Sequence, residues 1–163
     1  MLLFHPMRSD SEDDTLSLFS LLQQASQFSL LVQGRLPTLE DARCNLSELP
    51  PGKGATDKVF GGYWNEGALV GCMDLVHGYP EPDIAYLGLL LFSESVQGKG
   101  FGVEALAHIS ALARSRGCTQ LRLAVHESNA RAHRFWQRTG FAEICRRPMV
   151  GYTSGAIVMQ NAL

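Results

Sequence analysis

A chain of 163 residues, 45% hydrophobic and 18% charged, has the composition of a globular protein and not of a disordered one, and its length suits one domain spanning residues 1–163. The formal net charge of −2 gives no global argument for a nucleic-acid partner, and no apolar run approaches the ~20 residues of a membrane span. Cys44, Cys72, Cys118 and Cys145 are widely spaced with no CxxC pair, so they read as small buried thiols in a reducing compartment and not as a metal site or redox pair. The opening MLLFHPMRSDSEDD is too short in its apolar part, and too acidic after it, for a secretory leader. The expectation is a cytoplasmic protein that binds no metal.

In chain order, residues 14–33 place Leu18, Leu21, Leu22, Ala25 and Phe28 at helical spacing. The preceding acids suit the start of that helix and Gly34 its end. Thr38 can cap a second, short helix. ELPPGKGATD (48–57), with two prolines and two glycines, reads as an exposed loop. Strands are expected at 58–64 and 68–76, joined by the turn signal NEG. The segment 84–92, IAYLGLLLF, is too continuously apolar to be half-exposed and reads as a central strand covered on both faces. Gly88 within it marks a bulge or a close backbone approach. A helix at 103–116 lines up Leu106, Ile109, Leu112 and Ala113 and stops at Gly117. A strand at 120–125, a helix at 130–139 capped by Asn129, and strands at 141–147 and 152–160 complete the chain. Strand, helix and strand over 84–125 can form a right-handed crossover, which makes those two strands parallel, whereas the hairpins are antiparallel. The expected fold class is α/β, a mixed and mostly antiparallel central sheet flanked by helices.

The stretch VQGKGFG (96–102) stands where a strand hands over to a helix. A helix N-terminus carries unpaired N–H groups and the positive end of the dipole, and glycines let the backbone approach phosphate oxygens. A strand-to-helix turn that uses glycine for positive φ explains the same residues. Two familiar phosphate loops do not fit. The dinucleotide fingerprint GxGxxG fails because Val103 stands at its third glycine, and the nucleotide loop GxxxxGK[ST] fails because Ser93 stands at its first glycine and Gly100 follows Lys99.

Gln97-Gly98-Lys99-Gly100-Phe101-Gly102 instead resembles the Q/RxxGxG/A loop of the GCN5-related N-acetyltransferase (GNAT) family. Downstream, NARAHRFWQRTGF (129–141) resembles the family's second signature, with Asn129, Ala132, Phe135, Trp136, Gly140 and Phe141 at its positions. The resemblance covers residues 84–147. It implies a GNAT-like fold, acetyl-CoA or another acyl-CoA as donor, and an amine acceptor that is a small molecule or a peptide. It allows a homodimer, while charge and hydropathy lead to the expectation of no nucleic-acid or membrane partner. By position it makes Gln97, Gly98, Lys99, Gly100, Phe101 and Gly102 the pyrophosphate binders. Leu90 and Phe92 align with the strand that pairs with the pantetheine arm. Asn129 either caps its helix and also faces the pantetheine or is a helix cap alone, and Trp136 belongs to the same cofactor-binding set. Arg131 either assists a phosphate or is a solvated surface residue.

Acyl transfer to an amine needs an oxyanion donor, which a backbone N–H of the central strand can supply, and a base for the amine proton. Many members of the family carry a tyrosine after the signature phenylalanine as acid for the departing thiolate. Trp136 stands there instead, and an indole N–H is no proton source at neutral pH. The proton-handling candidates are Tyr86 in the donor-side strand, Asp74 between Met73 and Leu75, either exposed on a polar face or held near the acceptor, and His126 at the end of its strand, with a surface histidine as the alternative. Tyr63, Trp64, His77 and Tyr79 are candidates for shaping an acceptor pocket, with core packing as the alternative. The leading function is N-acetyl transfer from acetyl-CoA to a primary amine. Trp136 motivates the other class, a non-catalytic acyl-CoA binding or sensing module.

Overall fold

In the computed structural model, which describes residues 1–163, the chain runs β1 (Leu3–Pro6), α1 (Glu12–Gln24), α2 (Ser26–Gln33), α3 (Leu39–Ser47), β2 (Lys58–Asn65), β3 (Ala68–His77) and β4 (Ile84–Phe92), then α4 (Phe101–Ser115), β5 (Gln120–His126), α5 (Ala130–Arg138), β6 (Ala142–Arg147) and β7 (Ala156–Ala162). The strands form one seven-stranded sheet in the order β1-β2-β3-β4-β5-β7-β6. Every neighbouring pair is antiparallel except β4–β5. This is the mixed, mostly antiparallel sheet that the segment pattern implies. No helix is long and apolar enough to cross a membrane.

Alternation along the strands separates two cores. Met73, Leu75, Leu87, Leu121, Leu123 and Met159 pack with Ile109 of α4 on one face. Cys72 and Leu91 pack with Leu18, Leu21 and Leu22 of α1 and Ala42 and Leu46 of α3 on the other. Each such leucine, fully buried, contributes roughly 1.5–3 kcal/mol. Ala85 and Leu87 of β4 belong to the first core, yet Leu91 belongs to the second. A regular strand, with its period of two, would put all three on one face. The reversal has its cause at Gly88. Opposite β3 the register jumps there, Asp74 facing Leu89 and Leu75 facing Leu87, so Gly88 is the extra residue of a bulge.

Three expectations need correction. Residues 14–33 are not one helix: the chain leaves helical geometry at Ala25 (φ −121°, ψ 32°). The buried Ala25 lets α1 lie against α3 and the sheet while α2 turns across the sheet's open end. A strand precedes the first helix, with Leu3 paired to Trp64 and Pro6 to Gly61; four residues are too few to show a period. The last strand begins at Ala156 and not at residue 152, because 152–155 serve the end of α2. There the Thr153 N–H donates to the Val32 carbonyl at 3.0 Å, and its hydroxyl donates to the Leu31 carbonyl.

The bulge sits over a buried ion pair. Lys58 Nζ donates to Asp74 Oδ2 at 3.1 Å and to the carbonyls of Asn45 and Glu48 at 2.8 and 2.7 Å, which ties the end of α3 to β3. A Cβ on Gly88 would lie 3.1 Å from Asp74 Oδ2, so a side chain there would press on this pair. Burial pushes the Asp74 carboxyl up to about 6, with Lys58 opposing the shift. A carboxyl raised in the folded state favours folding while protonated, and that contribution is lost as pH rises from about 4 to about 6. Removing the cation should extend the loss to higher pH. Lys58→Met is expected to cost ~3 kcal/mol at pH 8 and clearly less at pH 5, where Asp74 holds a proton. Urea unfolding at the two pH values measures this, and equal losses would contradict it.

Candidate active site

β4 and β5 pair only from Ile84↔Gln120 to Leu87↔Leu123. Beyond that point β4 bends with its bulge and stays on β3. β5 stays on β7 along its whole length, from Gln120↔Ala162 to His126↔Ala156. The two parallel strands therefore splay into a V and leave their facing backbone groups without strand partners. The Ser93 N–H donates to Val70 at 2.9 Å, which fixes the phase of the ladder. Leu91 and Leu89 direct their amides to β3, while Leu90 and Phe92 direct theirs into the gap. The Phe92 carbonyl is taken by Gln97 Nε2 at 2.9 Å, and Leu90 keeps both groups free toward the opening.

A cleft of about 590 Å³ fills the V and runs to the glycine loop. In that loop the N–H groups of Gly98, Gly100, Phe101 and Gly102 donate to no backbone carbonyl. Gly98 (φ +82°) and Gly100 (φ +87°) adopt the left-handed conformation, and a Cβ on Gly100 would meet nothing within 4 Å. Gly102 is small for a different reason: a Cβ there would come within 3.2 Å of the Phe135 ring of α5. Four unpaired donors at or just before the positive end of a 15-residue helix are an arrangement that can accept an anion such as a diphosphate. Arg131 Nη1 donates to Gln97 Oε1 at 2.9 Å, which parks its guanidinium beside Gly98. Lys99 is exposed, and its side chain is not part of the cleft wall. Asn129 lines the cleft while its Oδ1 accepts from Ala132 N–H at 3.2 Å, so capping and facing a ligand are compatible.

Helix α2 roofs the V. At its start the Gln27 N–H donates to Glu94 Oε1 at 2.9 Å, just after β4. At its end the Leu31 carbonyl accepts from Ser128, just after β5, and from Thr153. Gln27, Phe28 and Leu31 thus face the cleft, none of them foreseen there from the sequence. A second chamber of about 140 Å³ lies between α1, α2, α3 and the strand ends. It shares Phe28, Gly88, Leu89 and His126 with the cleft. Tyr152 lines the chamber and packs its ring 4.9 Å from that of His126.

The structure gathers some of the candidate residues and separates others. Leu90, Phe92, Gln97, Gly98, Gly100, Phe101, Gly102, Asn129 and Trp136 all line the cleft. Trp136 is 7% exposed and wedged edge-on between Phe135 and Phe141 at 4.8 and 5.1 Å. His126 stands where cleft and chamber meet. Its Nδ1 is buried without a hydrogen bond, and burial alone lowers its pKa, which favours the neutral imidazole. Asp74 is beneath Gly88 and in neither wall. Tyr86 lies on the closed part of β4 opposite Arg122, and its hydroxyl accepts from Arg147 Nη2 at 3.1 Å. Tyr63, Trp64, His77 and Tyr79 line neither cavity; Tyr63 is a core residue packed on Phe92. No group of three His, Cys, Asp or Glu side chains is gathered as a metal site requires.

The acetyltransferase (GNAT) family model matches residues 24–141. No curated protein is detectably similar in sequence. Among solved structures, an acetyltransferase from Thermus thermophilus is 27% identical with a TM-score of 0.80, covering 100% of this chain and 97% of that one. The ribosomal-protein-S18-alanine N-acetyltransferase of Escherichia coli is 19% identical with a TM-score of 0.71, over 99% of this chain and 94% of that one. The PaiA N-acetyltransferase of Thermoplasma acidophilum, solved with coenzyme A, is 16% identical with a TM-score of 0.71, over 100% and 99%. Gly100→Glu would place a carboxylate in the amide cradle. Coenzyme A affinity measured by calorimetry should fall by ~10²-fold or more, with ~1–3 kcal/mol of strain from the positive φ. Gly100→Ala, which carries the strain without the charge, should retain most of the affinity. Equal affinity in Gly100→Glu and wild type would remove the cradle from the site.

Proposed function

Because the chain belongs to the acetyltransferase (GNAT) family, we propose that it transfers the acetyl group of acetyl-CoA to a primary amine in a ternary complex. The observation that carries this reading is the joining of two cavities at His126. A donor-sized cleft ends in an amide cradle, and a smaller chamber opens at its other end. In this reading the pyrophosphate rests on the N–H groups of Gly98, Gly100, Phe101 and Gly102. The pantetheine takes the place of a strand beside Leu90, and the thioester reaches the tip of the V near Gly88 and His126. A chamber for a second substrate favours transfer over a module that only senses acyl-CoA.

The chemistry then needs three services. A free amide of β4 at the V can donate to the carbonyl oxygen as charge develops there. His126 takes the proton that the amine loses as it attacks the thioester carbon. The C–S bond breaks, and the CoA thiolate leaves with the electron pair. The titratable side chains of the cleft wall are Arg131, Arg138 and His126, and of these residue types only histidine has an ordinary pKa near neutrality. The proton gained by His126 is therefore the available one for the sulfur, directly or through solvent. Trp136 contributes packing and no proton. Asp74, paired to Lys58 under the bulge, positions Gly88, and Tyr86 has no part in the transfer.

His126→Gln should lower kcat by ~10²-fold or more with the affinity for acetyl-CoA unchanged. The acid limb of the wild-type kcat profile should lie below 6.5, the ordinary value for histidine, because burial disfavours the imidazolium. That limb should vanish in the variant. A variant with wild-type kcat, or a limb that persists unmoved, would take the base role from His126. Trp136→Tyr should raise kcat by no more than a few-fold, and a gain of orders of magnitude would show that protonation of the thiolate limits the enzyme.

A further inference from the structure

We propose that the acceptor is a primary monoamine on a short uncharged stem, and that the chamber selects against α-amino acids and against diamines or polyamines. This inference rests on the acetyl-transfer reading and adds the class of its second substrate. Size comes first. A chamber of about 140 Å³ is of the class that admits a benzene-sized guest, a stem of about six heavy atoms. Leu22, Val32 and Leu89 supply apolar wall, and Ser29 and Asn45 add neutral polar groups.

Charge decides the rest. No lysine or arginine lines the chamber, so a carboxylate beside the amine would enter without a cation. The single carboxylate in the wall, Asp41, is already engaged. Its Oδ2 accepts from Arg35 Nη1 and from the Thr38 N–H, each at 2.7 Å, and its Oδ1 from Arg35 Nη2 at 2.9 Å. This bidentate pair and the capping bond hold Asp41 down to about 2, and the pair is close to neutral as seen from inside the chamber. A second ammonium on the acceptor would find no free anion, and burying a charge without a partner is costly. The loop carrying Tyr152, tied to α2 through Thr153, encloses the chamber on the remaining side.

A matched series of amines tests this. n-Butylamine, norvaline and putrescine share a four-carbon stem, the second adding a carboxylate beside the amine and the third a distal ammonium. CoA release, corrected for amine-free hydrolysis, gives kcat/KM for each, and acetyl-CoA affinity is measured separately by calorimetry. Butylamine is expected to exceed norvaline and putrescine by tenfold or more. A preference for norvaline or putrescine overturns the proposal, and so does turnover of none of the three by protein that binds acetyl-CoA. Protein that fails to bind acetyl-CoA overturns the transfer reading itself. Arg35→Gln, at a side chain 50% exposed, leaves the fold's core untouched and removes the cation from Asp41, whose Oδ2 keeps the Thr38 N–H. It should raise putrescine relative to butylamine by several-fold, and an unchanged ratio contradicts the charge argument.

Discussion

The loss of pairing between β4 and β5 after Leu87 and Leu123 is the constraint on which the molecule depends. A continuous ladder would be the more stable sheet, because each strand would then satisfy its backbone groups on both sides. The bulge at Gly88 prevents it. The extra residue turns β4 over, so that Leu91 joins the α1–α3 core and not the core of Leu87. Phe92 of the splayed arm still shares the first core with Leu123 and Val125 of β5, so the two arms part within one packed face. β5 cannot follow β4 without giving up its full register with β7. The opening is set by the registers of β4 on β3 and of β5 on β7, and it leaves backbone groups inside it unpaired.

The other features of the site are consequences of that opening. The loop after β4 starts α4 at the mouth of the V, which turns the helix's first amides toward the gap. α2 lies across the top because both of its ends are fastened to the segments that leave the V, Glu94 after β4 and Ser128 after β5. The buried Lys58–Asp74 pair anchors the strand opposite the bulge to the end of α3. Asp74 lies against the bulge at Gly88 and outside both cavities, so its reach toward them is through backbone position. His126 is the first residue of β5 to line cleft and chamber alike.

Much of this was legible in the sequence because it is local. The apolar run Ile84–Phe92, its glycine, the loop Gln97–Gly102 and the signature Asn129–Phe141 each carry their meaning within about a dozen residues. Together they imply the strand, the bulge, the anion cradle and the helix packed against it. What the sequence concealed is long-range. Ala25 has no helix-breaking chemistry, and the apolar spacing runs through it to Phe28, so the turn into α2 is decided by tertiary contacts. The fastening of Thr153 to Leu31 joins residues 122 positions apart and has no local signal. Asp74 reads in the sequence as a lone carboxylate among apolar neighbours, and only the fold supplies Lys58. Tyr86 and His126 looked equivalent as residues near the strands' junction, but one lies below the point of splay and the other above it.

The central claim is that the opened V is the donor site, and a crystal structure of the protein with acetyl-CoA tests it most directly. The account predicts pyrophosphate oxygens about 3 Å from the amides of Gly98, Gly100, Phe101 and Gly102, with the pantetheine hydrogen-bonded to Leu90 between β4 and β5. Acetyl-CoA bound elsewhere on the protein, or a pantetheine arm that leaves the Leu90 backbone unpaired, would contradict it.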